Sequence, residues 1–219
     1  MSSDRITVWG HNSGRAMRVH WMLQELGLAY DFKPIGARTG ETQTAAYKKL
    51  NPKGKIPTLQ HGALVLTESP AILTYLAETF DPPAGFYAPT DPVGRARVNE
   101  WCYFVSMELD AHTLYVIRRH DALSEIYGTA PDAVASAKEY YLKQLNAVAG
   151  RVDAAGTYLF GDAFSTADIL FMTVLDWGRN YGIALPAVLT DYQQRVGKRP
   201  AYHRAFGLNY SDRTIAEVR

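Results

Sequence analysis

The stretch Asp81-Pro-Pro-Ala-Gly-Phe-Tyr-Ala-Pro89 divides this chain into two parts with different periodicities. Its three prolines and one glycine cannot continue a helix, so it reads as a linker. Ahead of it, strand and helix signals alternate; behind it, the pattern is helical throughout. A fold for this sequence must therefore join an α/β layer to a helical bundle.

In the first part, Ile6 and Val8 alternate with polar neighbours as a strand. Ala16, Val19, Leu23 and Leu26 then recur at helical spacing as one apolar face, closed by Gly27. Tyr30 and Phe32 predict a second strand, and Thr42–Leu50 a second helix. A hairpin follows, Pro57–Gln60 and Ala63–Leu66 around His61-Gly62, and then a third helix with Ile72, Tyr75 and Leu76 buried. This order, βαβ then ββα, is what a thioredoxin-like layer needs. In the second part, Asp91-Pro92 is an N-cap with proline at the first helical position, opening a long helix to about His120. Pro131 opens another, to about Asp153. Ser165-Thr-Ala-Asp168 spells a capping box, with Phe164 and Ile169 as its hydrophobic staple, and shorter helices are predicted over Pro186–Val196 and Pro200–Leu208. The fold class is α/β plus all-α: a thioredoxin-like domain over residues 1–80, a linker over 81–90 and an all-helical C-terminal domain over 91–219.

Charge singles out no partner, because 23 Lys+Arg stand against 22 Asp+Glu. Aromatic residues do not interleave with a basic stripe, so nucleic acid is not expected. One cysteine, Cys102, excludes an internal disulfide and a cysteine-based metal cluster, and fits a reducing compartment. The six histidines lack close ligand spacing, so no metal is expected. No run of about 18 apolar residues that would span a membrane is present, nor a signal-peptide layout at the N-terminus, so the expectation is a cytoplasmic protein. Nucleotide-binding glycine motifs and the G-x-S-x-G elbow are missing as well.

The sharpest local signal lies in residues 51–69, Asn-Pro-Lys-Gly-Lys-Ile-Pro-Thr-Leu and, further on, Glu68-Ser69. Asn51 to Gly54 predict a turn, and Ile56-Pro57 a strand entrance where the X-Pro bond is often cis. The segment sets a free backbone edge at Ile56 beside a helix N-terminus at Glu68 and Ser69, which suits a short peptide bearing carboxylates. Glutathione is such a peptide. This segment, with the capped helix at 164–169, closely resembles the signature of the cytosolic glutathione S-transferase superfamily. Both domain types, their order and the proline-rich joint agree, so the resemblance spans nearly the whole chain.

The resemblance implies specific roles. Ile56, followed by Pro57, becomes the backbone clamp for glutathione, Glu68 and Ser69 the partners of the γ-glutamyl amine and carboxylate, and Lys55 a contact of the glycyl carboxylate; Lys53 is expected to be solvated. A free thiol of pKa near 8.5 is only a few per cent thiolate at neutral pH. In the family, a Tyr, Ser or Cys in the loop after the first strand stabilises the thiolate. No tyrosine precedes Tyr30 and no cysteine precedes Cys102; Ser13, at the predicted helix start and five residues ahead of Arg18, is similar in spacing to the serine of Ser-type members, and the resemblance implies it as the donor, with Asn12 as the alternative. Ser13 also fits an ordinary N-cap, a role compatible with catalysis. The second substrate, a small electrophile, is expected between the domains facing the long helix, with Tyr103, Met107, Tyr115 and Arg118 as candidates; the spacing of the last three sets them on neighbouring turns of one face. The implied activity is glutathione transfer in a homodimer. The alternatives are a glutathione-dependent lyase or isomerase and a non-catalytic scaffold of the same fold.

Overall fold

The structure is a computed structural model that describes residues 5–211. The chain forms two compact units. One contains the described residues through Ala84 together with those from Lys198, and the other is Gly85–Gly197.

In the first unit, strand β1 (Ile6–Trp9) is followed by helix α1 (Gly14–Glu25) and β2 (Asp31–Lys33). A short 3-10 turn, Glu41–Gln43, leads into α2 (Ala45–Leu50); then come β3 (Thr58–His61), β4 (Leu64–Thr67) and α3 (Ser69–Thr79). The sheet order is β2-β1-β3-β4, with β1 parallel to β2 and antiparallel to β3. Ile6 and Val8 point into the core with Leu59, while Trp9 lies on the other face, where it lines a cavity of about 440 Å³ with Ile35 and with Tyr47 and Leu50 of α2. The α1 terminus follows the predicted glycine stop: Gly27 has φ +65°, and the Leu28 amide bonds back to the Leu23 carbonyl.

Sequence and structure differ here in several places. The hairpin turns at Gly62-Ala63 rather than His61-Gly62, with His61 paired to Leu64. Gly62 alone takes a positive φ, +58°, as the first residue of a two-residue type II′ turn requires. Tyr30 lies just outside β2, and the Thr42–Leu50 helix is divided into the 3-10 turn and α2 because Thr44 caps α2, accepting from the Tyr47 amide. Most consequentially, α1 is buried on more than one face, from Ala16 continuously to Leu23. Helix α10 (Pro200–Asn209) packs on α1, with Tyr202 edge-on to Trp21 at 4.8 Å. Residues 198–211 therefore pack with the α/β unit, not with the helices expected to follow residue 91.

The second unit begins inside the expected linker. Residues Phe86–Tyr87 form β5, which pairs in parallel with β6 (Phe164–Ser165), so this unit is not purely helical. Helix α4 (Pro92–Phe104) starts at the predicted Asp91 cap and continues without a break through a π-wound stretch, Val105–Leu114, then α5 (Tyr115–Ile117) and a second π-wound stretch, Arg118–Ala122. After α6 (Ser124–Tyr127) and α7 (Pro131–Ala155) comes the central helix α8 (Thr166–Asn180), and α9 (Ala187–Val196) closes the unit. Helix α8 is buried continuously from Thr166 to Asp176, as a helix at the centre of a bundle must be. Its capping box is complete, and Phe164 and Ile169 of the staple are fully buried.

Candidate functional site

The loop between α2 and β3 is held from beneath by a buried polar cluster. The Asn51 side chain donates Nδ2–H to the Lys55 carbonyl at 2.7 Å and to Thr58 Oγ1 at 3.1 Å, while its Oδ1 accepts the Lys53 amide. The Tyr47 hydroxyl also donates to the Lys55 carbonyl, at 2.7 Å, and meets Thr58 Oγ1 at 2.8 Å. With the Lys55 carbonyl fixed by two donors, the next residue, Ile56, is presented at the end of a rigid loop. The Ile56-Pro57 bond is cis. Lys55 itself is exposed, and its carbonyl rather than its ammonium is what the structure ties down.

At the end of β4, Glu68 takes φ +69° and ψ 110°, a conformation that a residue with a Cβ rarely adopts, and stands at the N-cap of α3 without its side chain accepting a helix amide. Its side chain, 69% exposed, receives Lys53 Nζ at 2.5 Å, and the same ammonium reaches Thr67 Oγ1 at 2.7 Å. Lys53 is thus an ion-pair partner of Glu68 and not merely a solvated lysine. Ser69, the first residue of α3, is 3% exposed, and its Oγ accepts from Arg18 Nη1 at 3.2 Å. A serine oxygen occupied this way keeps its own O–H free to donate. The α3 N-terminus adds unsatisfied amide donors and the positive end of the helix dipole, so this corner suits a carboxylate. Arg18 lies within the apolar run of α1 and carried no sequence signal of this role.

The β1–α1 loop approaches the Ile56 loop through Gly10. A Cβ on Gly10 would stand 2.8 Å from Ile56 Cβ, and the residue has φ +125°, so only glycine lets the two loops touch. The Gly10 carbonyl accepts from His20 Nε2 at 2.9 Å, and His20 Nδ1 meets the Tyr30 hydroxyl at 2.8 Å. Burial pushes the His20 pKa down to about 4, which keeps the ring neutral, with Nε2–H donating to Gly10 and Nδ1 accepting from Tyr30. Ser13 stands at the N-cap of α1, but its side chain makes no capping hydrogen bond. Its hydroxyl is therefore uncommitted at the helix end, while its carbonyl accepts the Met17 amide. Asn12, at φ +50°, is exposed, and its amide donates to the carbonyl of Asn209 at 2.7 Å. Both candidate thiol donors are thus on one loop beside Ile56.

In the helical unit, Tyr103 and Met107 are 66% and 50% exposed, while Tyr115 and Arg118 are half-buried, with the Arg118 guanidinium 5.9 Å from the Trp177 ring centre. The π-wound stretch Val105–Leu114 replaces i→i+4 bonding by i→i+5, so α-helical spacing does not carry one face from Met107 to Tyr115 and Arg118. Cys102 is buried, and Trp101 packs against Phe171.

Comparison with known proteins accords with this geometry. The family model described as glutathione S-transferase, N-terminal domain, matches residues 4–78, and that described as the C-terminal domain matches residues 104–200. The theta class glutathione S-transferase of Xanthomonas axonopodis pv. citri, solved with glutathione bound, is 31% identical with a TM-score of 0.75, covering 92% of this chain and 97% of that one. This chain belongs to the cytosolic glutathione S-transferase superfamily. Other members of the superfamily and its relatives include a glutathione S-transferase-like protein of Aspergillus terreus, 29% identical over 77% of this chain and 76% of its own length. The maleylacetoacetate isomerase of Pseudomonas aeruginosa is 28% identical over 94% and 97%. For a glutathione S-transferase, the sequence signals at 51–69 and in the first loop point to one region of one unit, whereas Arg18, His20, Tyr47 and Asn209 emerge only in three dimensions.

Proposed function

We propose that this chain is a glutathione transferase in which Ser13 donates a hydrogen bond to the glutathione thiolate, which then attacks a small hydrophobic electrophile. The observation that carries this reading is the uncommitted Ser13 hydroxyl: the serine occupies an N-cap position without capping, so its O–H remains available to a ligand. Ile56, followed by Pro57, is the proposed backbone clamp, with Lys55 toward the glycyl carboxylate. Ser69 and the α3 end take the γ-glutamyl carboxylate, and Glu68 takes the amine, which would then compete with Lys53 for it. Lowering a thiol pKa by about two units requires about 3 kcal/mol of preferential thiolate stabilisation, within reach of a hydroxyl donor at a helix N-terminus. Tyr103, Met107, Tyr115 and Arg118 are the proposed contacts of the electrophile. A cytoplasmic homodimer with a detoxifying role completes the proposal; among the described residues no helix is long and apolar enough to cross a membrane.

A second reading, glutathione-dependent isomerisation, is favoured by the similarity to the Pseudomonas aeruginosa maleylacetoacetate isomerase over nearly the full length of both chains. It uses the same thiolate on a different acceptor. The test is retention on immobilised glutathione, followed by conjugation of an aromatic halide and isomerisation of maleylacetoacetate, each with the unmodified protein and with Ser13→Ala and Asn12→Ala. We expect Ser13→Ala to keep glutathione binding and to lose about 100-fold in turnover. Retention without turnover on any electrophile would leave the scaffold reading standing, and an equal loss in Asn12→Ala alone would transfer the role to Asn12.

A further inference from the structure

The loop bearing Ser13 is held from a part of the chain almost 200 residues away. The backbone carbonyl of Asn209, the last residue of α10, accepts the Asn12 amide at 2.7 Å, and the Asn209 side chain donates Nδ2–H to the Ser13 carbonyl at 3.2 Å. One residue thus holds the backbone on either side of the Asn12-Ser13 pair, at the Asn12 N–H and at the Ser13 C=O. Asn209 is completely buried, and its Oδ1 has no hydrogen-bond partner. An amide that leaves its own acceptor unsatisfied in the interior calls for a reason, and the donor half supplies it. Only the NH2 group can face the Ser13 carbonyl, because the reverse orientation would oppose two oxygens. The next residue, Tyr210, brings its hydroxyl to 3.9 Å from where a Cβ on Gly14 would stand, so the end of α10 abuts the start of α1.

We propose that Asn209 is a positioning residue for thiolate stabilisation: by holding the Asn12 N–H and the Ser13 C=O it fixes the direction in which the Ser13 hydroxyl points. This inference rests on the proposed role of Ser13. The Ser13 carbonyl also accepts the Met17 amide, the first bond of α1, so removing the Asn209 side-chain donor leaves the helix start in place and takes away only the second hydrogen bond that orients the Ser13 carbonyl. Ile56, Glu68 and Ser69 have no hydrogen bond to Asn209, so glutathione affinity is not expected to depend on it.

The experiment compares Asn209→Ala, Ser13→Ala and the double variant. It reads the pKa of the bound glutathione thiol from thiolate ultraviolet absorbance, together with kcat and the KM for glutathione. Asn209→Ala is expected to raise the bound thiol pKa by about half a unit to one unit and to lower kcat below that pKa by about five-fold, with KM changed less than about two-fold. In the Ser13→Ala background, Asn209→Ala should add nothing, the non-additivity of two residues acting through one group. A merely structural asparagine would lower the melting temperature without moving the thiol pKa, and that result overturns the proposal. If Ser13→Ala itself leaves the thiol pKa unchanged, the role of Ser13 fails; if Ser13→Ala moves it and Asn209→Ala does not, only the positioning role fails. Hydrogen exchange on the unmodified protein gives an arm that needs no variant. The Asn12 amide should exchange as slowly as the amides of α10, and an unprotected Asn12 amide would refute the grip by Asn209.

Discussion

Asn12 and Glu68 both hold positive φ without being glycine, and both border the candidate site. Such conformations persist where surrounding structure over-determines them, and they cluster where a ligand is held. The same over-determination explains His20. Its ring is buried and neutral because a charge there would have no water, and it spans Gly10 and Tyr30 with one donor and one acceptor. Its pKa is 6.5 when exposed and about 4 when folded, so between those values the unfolded chain binds the extra proton. Stability from this group is therefore fully present above about pH 6.5 and is lost as the pH falls toward 4, a loss of about 3 kcal/mol across the window. Urea unfolding at a series of pH values should show this slope in the unmodified protein and a flatter one in His20→Gln, which retains an N–H for Gly10. Equal slopes in the two proteins would exclude His20 as the titrating group.

Elements were legible in the sequence where local chemistry decides them. The capped start of α8 is a case in point: Ser165 and Asp168 bond reciprocally, and Phe164 and Ile169 staple the entry. The sequence did not reveal how much else Asp168 holds. Its carboxylate also accepts the Leu159 amide at 2.9 Å and the Tyr192 hydroxyl at 2.8 Å, and it is fully buried. Replacing Asp168 by alanine strands several buried donors at once, with an expected loss of about 3 kcal/mol or more, whereas Ser165→Ala should cost about 1 kcal/mol. Denaturant titration of the two variants tests the ordering, and a Ser165→Ala cost equal to that of Asp168→Ala would reduce Asp168 to a helix cap. Where elements depart from the sequence pattern, the reason is physical. The turn at Gly62-Ala63 was displaced by one residue because His61 pairs with Leu64, a register set by the neighbouring strands. Likewise β5 needs β6, some 80 residues later, to be a strand at all. In the candidate site, the proposed positions Ile56, Glu68 and Ser69 come from one contiguous motif. Arg18 and Asn209 were not legible in the sequence, since an arginine in an apolar helix and an asparagine near the end of the chain acquire meaning only from distant partners.

At the scale of the whole molecule, the α/β unit is assembled from two segments of chain far apart in sequence. Helix α10 covers a face of α1 that the sequence pattern alone leaves unassigned, which is why α1 is buried without interruption from Ala16 to Leu23. Arg199 forms a two-pronged ion pair with Glu25, both bonds at 2.7 Å, while Trp21 Nε1 donates to the same carboxylate. Further along, Arg204 reaches the Gln24 side chain, and Tyr202 and Phe206 are nearly fully buried. Burial of two such aromatic side chains contributes about 4 kcal/mol, a large share of the about 5–15 kcal/mol that holds a typical domain together. A chain ending at Gly197 would expose Trp21 and leave Glu25 without its arginine. We expect it to melt at least about 10 °C below the full chain, or not to fold cooperatively, in a thermal scan by circular dichroism. Its retention on immobilised glutathione should fall with the folded fraction, because the proposed contacts Ile56, Glu68 and Ser69 belong to the unit that α10 completes. A truncated chain that melted with the full-length protein would mean that the α/β unit stands on residues up to Ala84 alone, and that α10 is an accessory.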